Sequence, residues 1–275
     1  MANRYLDGLK PPRAGARRWR LLALWLAIVF LVFALYARST EWTLIGLMVL
    51  VGVLIVVVGS TRGQGAKLRT EFELANLDRL REHQPEAVRR LRSLLDQPIT
   101  PLFRAQTLLA LGECAEMSGD FAEAADVYAR AEGVLRAQPT LAMAYRQVLP
   151  LVAARRAFVL AACGWFDPAE AALRGAALRD AYPQAEALAS RASILLAARR
   201  GHFGDVREQI DRDRALHKSS FGYRDRTLLR VLELLATSRL SGALRTADAG
   251  LASERELRRW IARALPEAES LLGVS

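Results

Sequence analysis

The sequence is short of the residues that chemistry uses. Its 275 residues hold two cysteines and three histidines. Cys114 and Cys163 stand far apart, with no CxxC pair and no histidine at metal-ligand spacing, which excludes a disulfide framework and a cysteine-built metal centre. Thiols of a cytoplasmic domain stay reduced, and both read as small core residues. His83, His202 and His217 are scattered. HExxH, GxSxG, the Walker loop and GxGxxG are all missing. Asp211 and Asp213 alternate with Arg212 and Arg214, the pattern of a solvated helix face. No spacing nominates a nucleophile, base or metal set. The chain is therefore not expected to be an enzyme, and no catalytic residue, cofactor or metal is expected. Aromatic residues are 7% of the chain. No dense basic stripe interleaves with them, so nucleic acid is not an expected partner.

Two long uncharged runs are present. Leu21 to Ala37 and Thr43 to Gly59 are each 17 residues. At about 1.5 Å per residue, roughly 17 is the lower limit for crossing a hydrocarbon core of about 30 Å. Trp19, Tyr36 and Trp42 lie near the run ends, where aromatic rings prefer the headgroup level. The spacing predicts a transmembrane helical hairpin over 21–59. A cleaved signal peptide is disfavoured, because the first run is long and a second follows at once. A buried soluble hairpin is disfavoured by two adjacent uncharged runs.

Charge sets the expected orientation. Residues 1–20 carry Arg4, Lys10, Arg13, Arg17, Arg18 and Arg20 against Asp7. Arg62, Lys67 and Arg69 follow the second run, and the connecting loop has only Arg38, beside Glu41. Both termini are expected in the cytoplasm. The basic N-terminal segment 1–20 is placed to meet anionic headgroups of the lipid bilayer. The Arg/Ala/Leu-rich composition fits a GC-rich bacterial coding sequence, whose membrane would be the inner, cytoplasmic one. Residues 60–66 read as a linker, and 67–275 as a helical domain of about 200 residues.

In that domain Ala, Leu, Arg and Glu dominate, and no alternating strand pattern appears. Helices are expected over Lys67–Glu82 and Pro85–Asp96. Thr100 caps a helix that opens with Pro101 and runs to about Met117. A turn, Gly119-Asp120-Phe121-Ala122-Glu123-Ala124, leads into a helix to about Arg136. The turn recurs at Gly164-Trp165-Phe166-Asp167-Pro168-Ala169, 45 residues on, and at Gly201-His202-Phe203-Gly204-Asp205-Val206, 37 further. Glycine permits a left-handed helix end, the aromatic plugs the junction, and the small residue permits close approach. Asp167-Pro168 reads as a cap and proline start. Leu216–Arg224 reads as a polar loop and Asp225–Leu240 as a helix broken by Ser241-Gly242. A capping box, Ser253 with Glu256, opens a final helix whose apolar stripe is Leu257, Trp260, Ile261, Ala264 and Leu265. It is expected to cap the end of the stack. Lying on the membrane surface is the alternative.

These turns resemble the tetratricopeptide repeat. Around Gly119, Gly112 holds the family's small packing position, and Ala124, Tyr128 and Ala131 its small–aromatic–small pattern. Ala157 and Ile194 stand at the glycine place in the later copies, and Leu173 replaces the second aromatic. The spacings exceed the family's 34 residues, which implies an insertion around Gln138–Pro150. The resemblance covers roughly 70–217. It implies an all-α fold, an α-solenoid of antiparallel helix pairs, with a concave groove that takes a peptide or helix of a protein partner. An irregular helical bundle is the plainer alternative. By helical phase, Gln106, Leu109, Glu113 and Glu116 would line the groove from the first copy. Leu151 and Phe158 would do so from the second, and Leu188, Arg191, Leu195 and Arg199 from the third. The groove is thus expected to be acidic at one end and basic at the other. The function this implies is a membrane-anchored, cytoplasm-facing adaptor or scaffold. The alternative is a structural subunit of a larger membrane complex, held by the hairpin, whose Gly46, Gly52 and Gly59 would let helices approach.

Overall fold

The computed structural model describes residues 3–7, 25–29, 32, 51, 65–81, 83–137, 142–176, 182–242 and 254–272. Every regular element among the described residues is helical. The chain divides into two compact units, Gly8–Ile99 and Met1–Asp7 with Thr100–Ser275. The division falls after the Asp96–Ile99 segment. The first helix pair, expected to open the 67–275 domain, therefore belongs to the other unit.

In the 8–99 unit, α1 spans 65–80 and α2 spans Gln84–Leu95. Arg90 of α2 reaches back to Glu71 and Asp78 of α1, each at 2.9 Å. Ala75, Ala87, Leu91, Leu94 and Leu95 are buried. Leu74, Leu77 and Leu80 are exposed, as are Trp25, Leu26, Ile28, Val29, Val32 and Val51. The expected hairpin lies almost wholly outside the described residues. Among those that are described, no helix is long and apolar enough to cross a membrane.

The second unit contains α3 (Pro101–Ser118), α4 (Phe121–Arg136), α5 (Ala142–Ala162), α6 (Phe166–Gly175) and α7 (Pro183–Arg199). It continues with α8 (Phe203–Arg212), α9 (Arg214–Ser220), α10 (Tyr223–Ser241) and α11 (Arg255–Ala264). A 3₁₀ turn (Pro266–Ala268) and α12 (Glu269–Leu272) follow. Thr100 caps α3, accepting from the Phe103 N–H at 3.3 Å. The pairs α3/α4, α5/α6 and α7/α8 are hairpins joined by two- or three-residue turns, and all three turns close in the same way. Gly119, Gly164 and Gly201 have φ of 76°, 79° and 80°. Each glycine N–H donates three residues back, to Glu116, Ala161 or Ala198. The next N–H donates five residues back, to Ala115, Leu160 or Ala197. This double closure satisfies the carbonyls that a helix end leaves open. Ala124, Ala169 and Val206, the small residues after each turn, are fully buried. A Cβ on Gly112 would overlap the Tyr128 ring, so α3 and α4 touch there only because a side chain is missing.

The pairs stack serially. α4 packs on α3 and α5, α6 on α5 and α7, and α8 on α7 and α10. The first helices also form a row, α3 on α5, α5 on α7 and α7 on α10.

Several local expectations need correction. α5 begins at Ala142 and carries Pro150 inside it, so much of the expected insertion lengthens a helix. Asp167 does not cap. α6 starts at Phe166 with Trp165 at its N-cap, and the exposed Asp167 pairs with Arg200 at 3.5 Å. The stretch read as a loop over 216–224 is largely helix, because His217 and Phe221 are buried and tie it to the stack. α11 starts one residue later than the capping box requires, with Glu254 at its N-cap and no side-chain cap. Ser253 lies outside the described residues.

Candidate helix-binding face

The row of first helices carries an ionic cluster in its interior. Glu116 of α3 accepts from Arg191 of α7 at 2.8 Å and from Arg155 of α5 at 3.1 Å. The Tyr128 hydroxyl of α4 donates to it at 2.7 Å. Arg155 also pairs with Glu113 at 2.7 Å, and Arg191 with Asp225 of α10. Arg191 is 2% exposed and its guanidinium lies 3.8 Å over the Phe158 ring. Burial opposes the Glu116 carboxylate, but Arg191 and Arg155 override it and hold its pKa below the usual value. Burial likewise opposes the guanidinium charge of Arg191, which Asp225 and Glu116 then stabilise. Burial and the Glu116 charge push the Tyr128 phenol well up, so it stays a donor. A charge in a low-dielectric interior must be paired and hydrogen-bonded. This one is tied across α3, α4, α5, α7 and α10.

α11 lies on this row. Trp260 is buried, its ring 6.1 Å from Phe158 in a stacked arrangement and 6.0 Å from Phe121 edge to face. Its indole N–H donates to the Glu116 carbonyl at 2.6 Å. Arg263 donates to the Ser118 carbonyl at 2.9 Å, and Arg224 of α10 to that of Met117 at 3.0 Å. Three consecutive carbonyls at the negative C-terminal end of α3 thus receive an indole and two guanidinium groups, the chemistry that such an end favours. Glu267, in the turn after α11, pairs with Arg199 of α7 at 2.7 Å.

The sequence-predicted lining residues divide accordingly. Glu116, Phe158, Leu188, Arg191 and Leu195 are buried. Gln106, Leu109, Glu113, Leu151 and Arg199 are half-buried. The structure brings Glu113, Glu116, Phe158 and Arg191 into one cluster and joins Arg199 to the C-terminal segment. The expected separation of an acidic from a basic end is not found. Arg191 reaches Glu116 directly, because unpaired charges at this depth would be too costly. α11, expected to cap the end of the stack, also reaches back to α3, its first helix. Sequence reasoning missed Arg155, Tyr128, Asp225 and the Trp260 contact. The spacing of Arg155, one helical turn before Phe158, was the available signal.

A second cluster has the residue types of a hydrolytic triad. The Ser190 hydroxyl donates to Asp213 Oδ2 at 2.6 Å and lies 2.9 Å from His217 Nε2. Since the serine proton goes to the carboxylate, the histidine must donate to the serine oxygen. That wiring is the reverse of a nucleophile–base pair. It serves as a tie between α7 and α9, with His217 stacked on Phe221 at 5.3 Å. Burial depresses the His217 pKa. Burial pushes the Cys163 thiol up to about 11, far from a reactive thiolate. Among the described residues no cluster of His, Cys, Asp or Glu could hold a metal ion.

The first residues of the chain meet the same turn from another side. Tyr5 donates to Asp120 at 2.9 Å, Arg4 pairs with Asp120 and with Glu123 at 3.2 Å, and Asn3 donates to the Glu123 carbonyl at 3.1 Å. Compared with family models, curated proteins and solved structures, the chain matches none of them.

Proposed function

We propose that this protein is a membrane-anchored adaptor that recruits a protein partner through the face formed by α3, α5, α7 and α10. The observation that carries the reading is α11 itself. An amphipathic helix with a tryptophan anchor is seated on that face, which is how groove-binding helices are held. The three like-closed turns and the Gly112–Tyr128 contact favour a tetratricopeptide-like stack. Anchoring draws on the two uncharged runs of 21–59 and on the exposed Trp25, Leu26, Ile28, Val29 and Val32. The contacts of residues 3–5 with Asp120 and Glu123 favour an even number of membrane crossings, since residues 3–7 and 100–272 share one unit. With the basic flanks, this favours both termini lying on the cytoplasmic side of the inner membrane.

The test is photo-crosslinking in native membranes from probes at Leu109 and Leu151, with Arg174 on the outer surface as control. The same protein should be captured from the first two positions and not from the third. Equal capture from Arg174 would remove the reading.

A second reading, a structural subunit of a larger membrane complex, is favoured by the exposed Trp25, Leu26, Ile28, Val29 and Val32. Purification in mild detergent decides it: a lone, monodisperse monomer rules it out.

A further inference from the structure

The segment after α10 does more than end the stack. An end cap contacts the last helices. Residues 254–272 instead touch all four first helices: α3 through Trp260 and Arg263, α5 through Phe158, α7 through Arg199 and α10 through Arg224. The segment is also a ligand by composition. Leu257, Trp260, Ile261, Ala262 and Ala264 are buried, while Glu254, Arg255, Glu256 and Arg259 face solvent. What receives it is general in character. An aromatic pocket of Phe121 and Phe158 stands beside three helix-end carbonyls, and any helix offering an indole N–H with a guanidinium one turn on could satisfy both.

The fit is imperfect where the two sides meet. Buried side-chain atoms without a hydrogen-bond partner include Nε of Arg199 on the stack and Oε2 of Glu267 on the segment, the two residues whose ion pair joins them. Burying polar atoms unpaired is unfavourable. The contact holds despite this because the segment is covalently attached, and attachment raises its effective concentration to the millimolar range. A free helix that pairs these groups can therefore compete.

We propose that residues 254–272 are a resident ligand of the face, displaced by a partner helix that is basic, amphipathic and tryptophan-anchored. This rests on the partner-binding reading and adds its regulation: the closed chain masks the site, and the partner opens it.

The test uses the full chain in detergent and a fluorescent synthetic peptide of residues 254–272. Three proteins are compared: the intact chain, Trp260→Ala, and the rim double variant Arg263→Glu with Glu267→Arg. The rim variant loosens the resident segment without removing its aromatic anchor. Both variants should bind the peptide at least about tenfold more tightly than the intact chain, and a peptide carrying Trp260→Ala should not bind. Equal affinity for all three proteins would overturn the proposal. So would loss of helical circular dichroism and of peptide binding in both variants together, since the segment would then be core. Crosslinking from Leu109 in native membranes reports separately. A partner captured equally by the intact chain and the rim variant leaves the adaptor reading standing and removes the masking. Peptide binding confined to the variants, with no partner captured, does the reverse.

Discussion

Two arginine–carboxylate pairs of nearly equal length behave differently in this molecule. Arg191 and Glu116 meet at 2.8 Å with side chains 2% and 5% exposed. Arg214 and Asp211 meet at 2.6 Å with side chains 61% and 54% exposed. The outer pair is screened by water and salt and contributes little. The inner pair exists only because Arg155, Tyr128 and Asp225 complete its bonding. Distance does not measure what an ion pair does. The inner cluster decides how the first helices align, and the outer pair keeps a face soluble.

The comparison is broken most forcefully at Glu116. Glu116→Ala leaves Arg155 and Arg191 buried without their shared partner and should cost about 3–5 kcal/mol in urea unfolding. A loss no larger than that of Arg214→Ala would mean the cluster is hydrated. The turns give a smaller and more local contrast. Gly201→Ala places a side chain at φ 80° with open space around it, and should cost about 1–2 kcal/mol. At Gly119 the same change also meets Arg263 Nη1 at 2.9 Å. It should cost more and release the C-terminal segment, seen as greater accessibility of Trp260 to a fluorescence quencher. Equal costs at the two glycines would separate α11 from the turn.

Acid sharpens the comparison by site. His217 has a depressed pKa in the fold, so the unfolded chain binds its proton first. Stability should fall as pH drops through the ordinary value of 6.5. His217→Gln should flatten that first step. Asp213, held down first by its bond from Arg212, and Glu116 also have lowered pKa values. Their contribution is present above their ordinary values of 3.8 and 4.5 and is lost as pH falls further. A melting series from pH 8 to 3 should show both steps. The smallest effect is at the surface: Arg214→Ala should leave the unfolding midpoint unchanged, and 0.5 M salt should not alter that result.

Most of the helices, including three turns and the cap at Thr100, were legible because their signals are local. A glycine at a helix end, a proline after a hydroxyl and apolar residues at i, i+3 and i+4 depend on neighbours within a turn or two. The reading failed where a segment's state depends on distant contacts. Residues 216–222 look polar in sequence. Residues 216–220 of that stretch are helical because His217 finds Ser190 and packs on Phe221. The candidate face was half legible. Helical phase reached Glu116, Phe158 and Arg191, which the structure joins in one cluster. It could not tell an open groove from a filled one.

The sequence by itself determined where charge and its absence fall: two uncharged runs, basic flanks and a recurring glycine–aromatic turn. These are one-dimensional properties, set by composition and short spacing. Only the tertiary structure decided that Arg191 and Arg155 share Glu116, and that Trp260, 144 residues from Glu116, closes over them. The reason is physical. A buried charge takes whichever partners the packing brings within reach, and that choice is made between helices far apart in the chain.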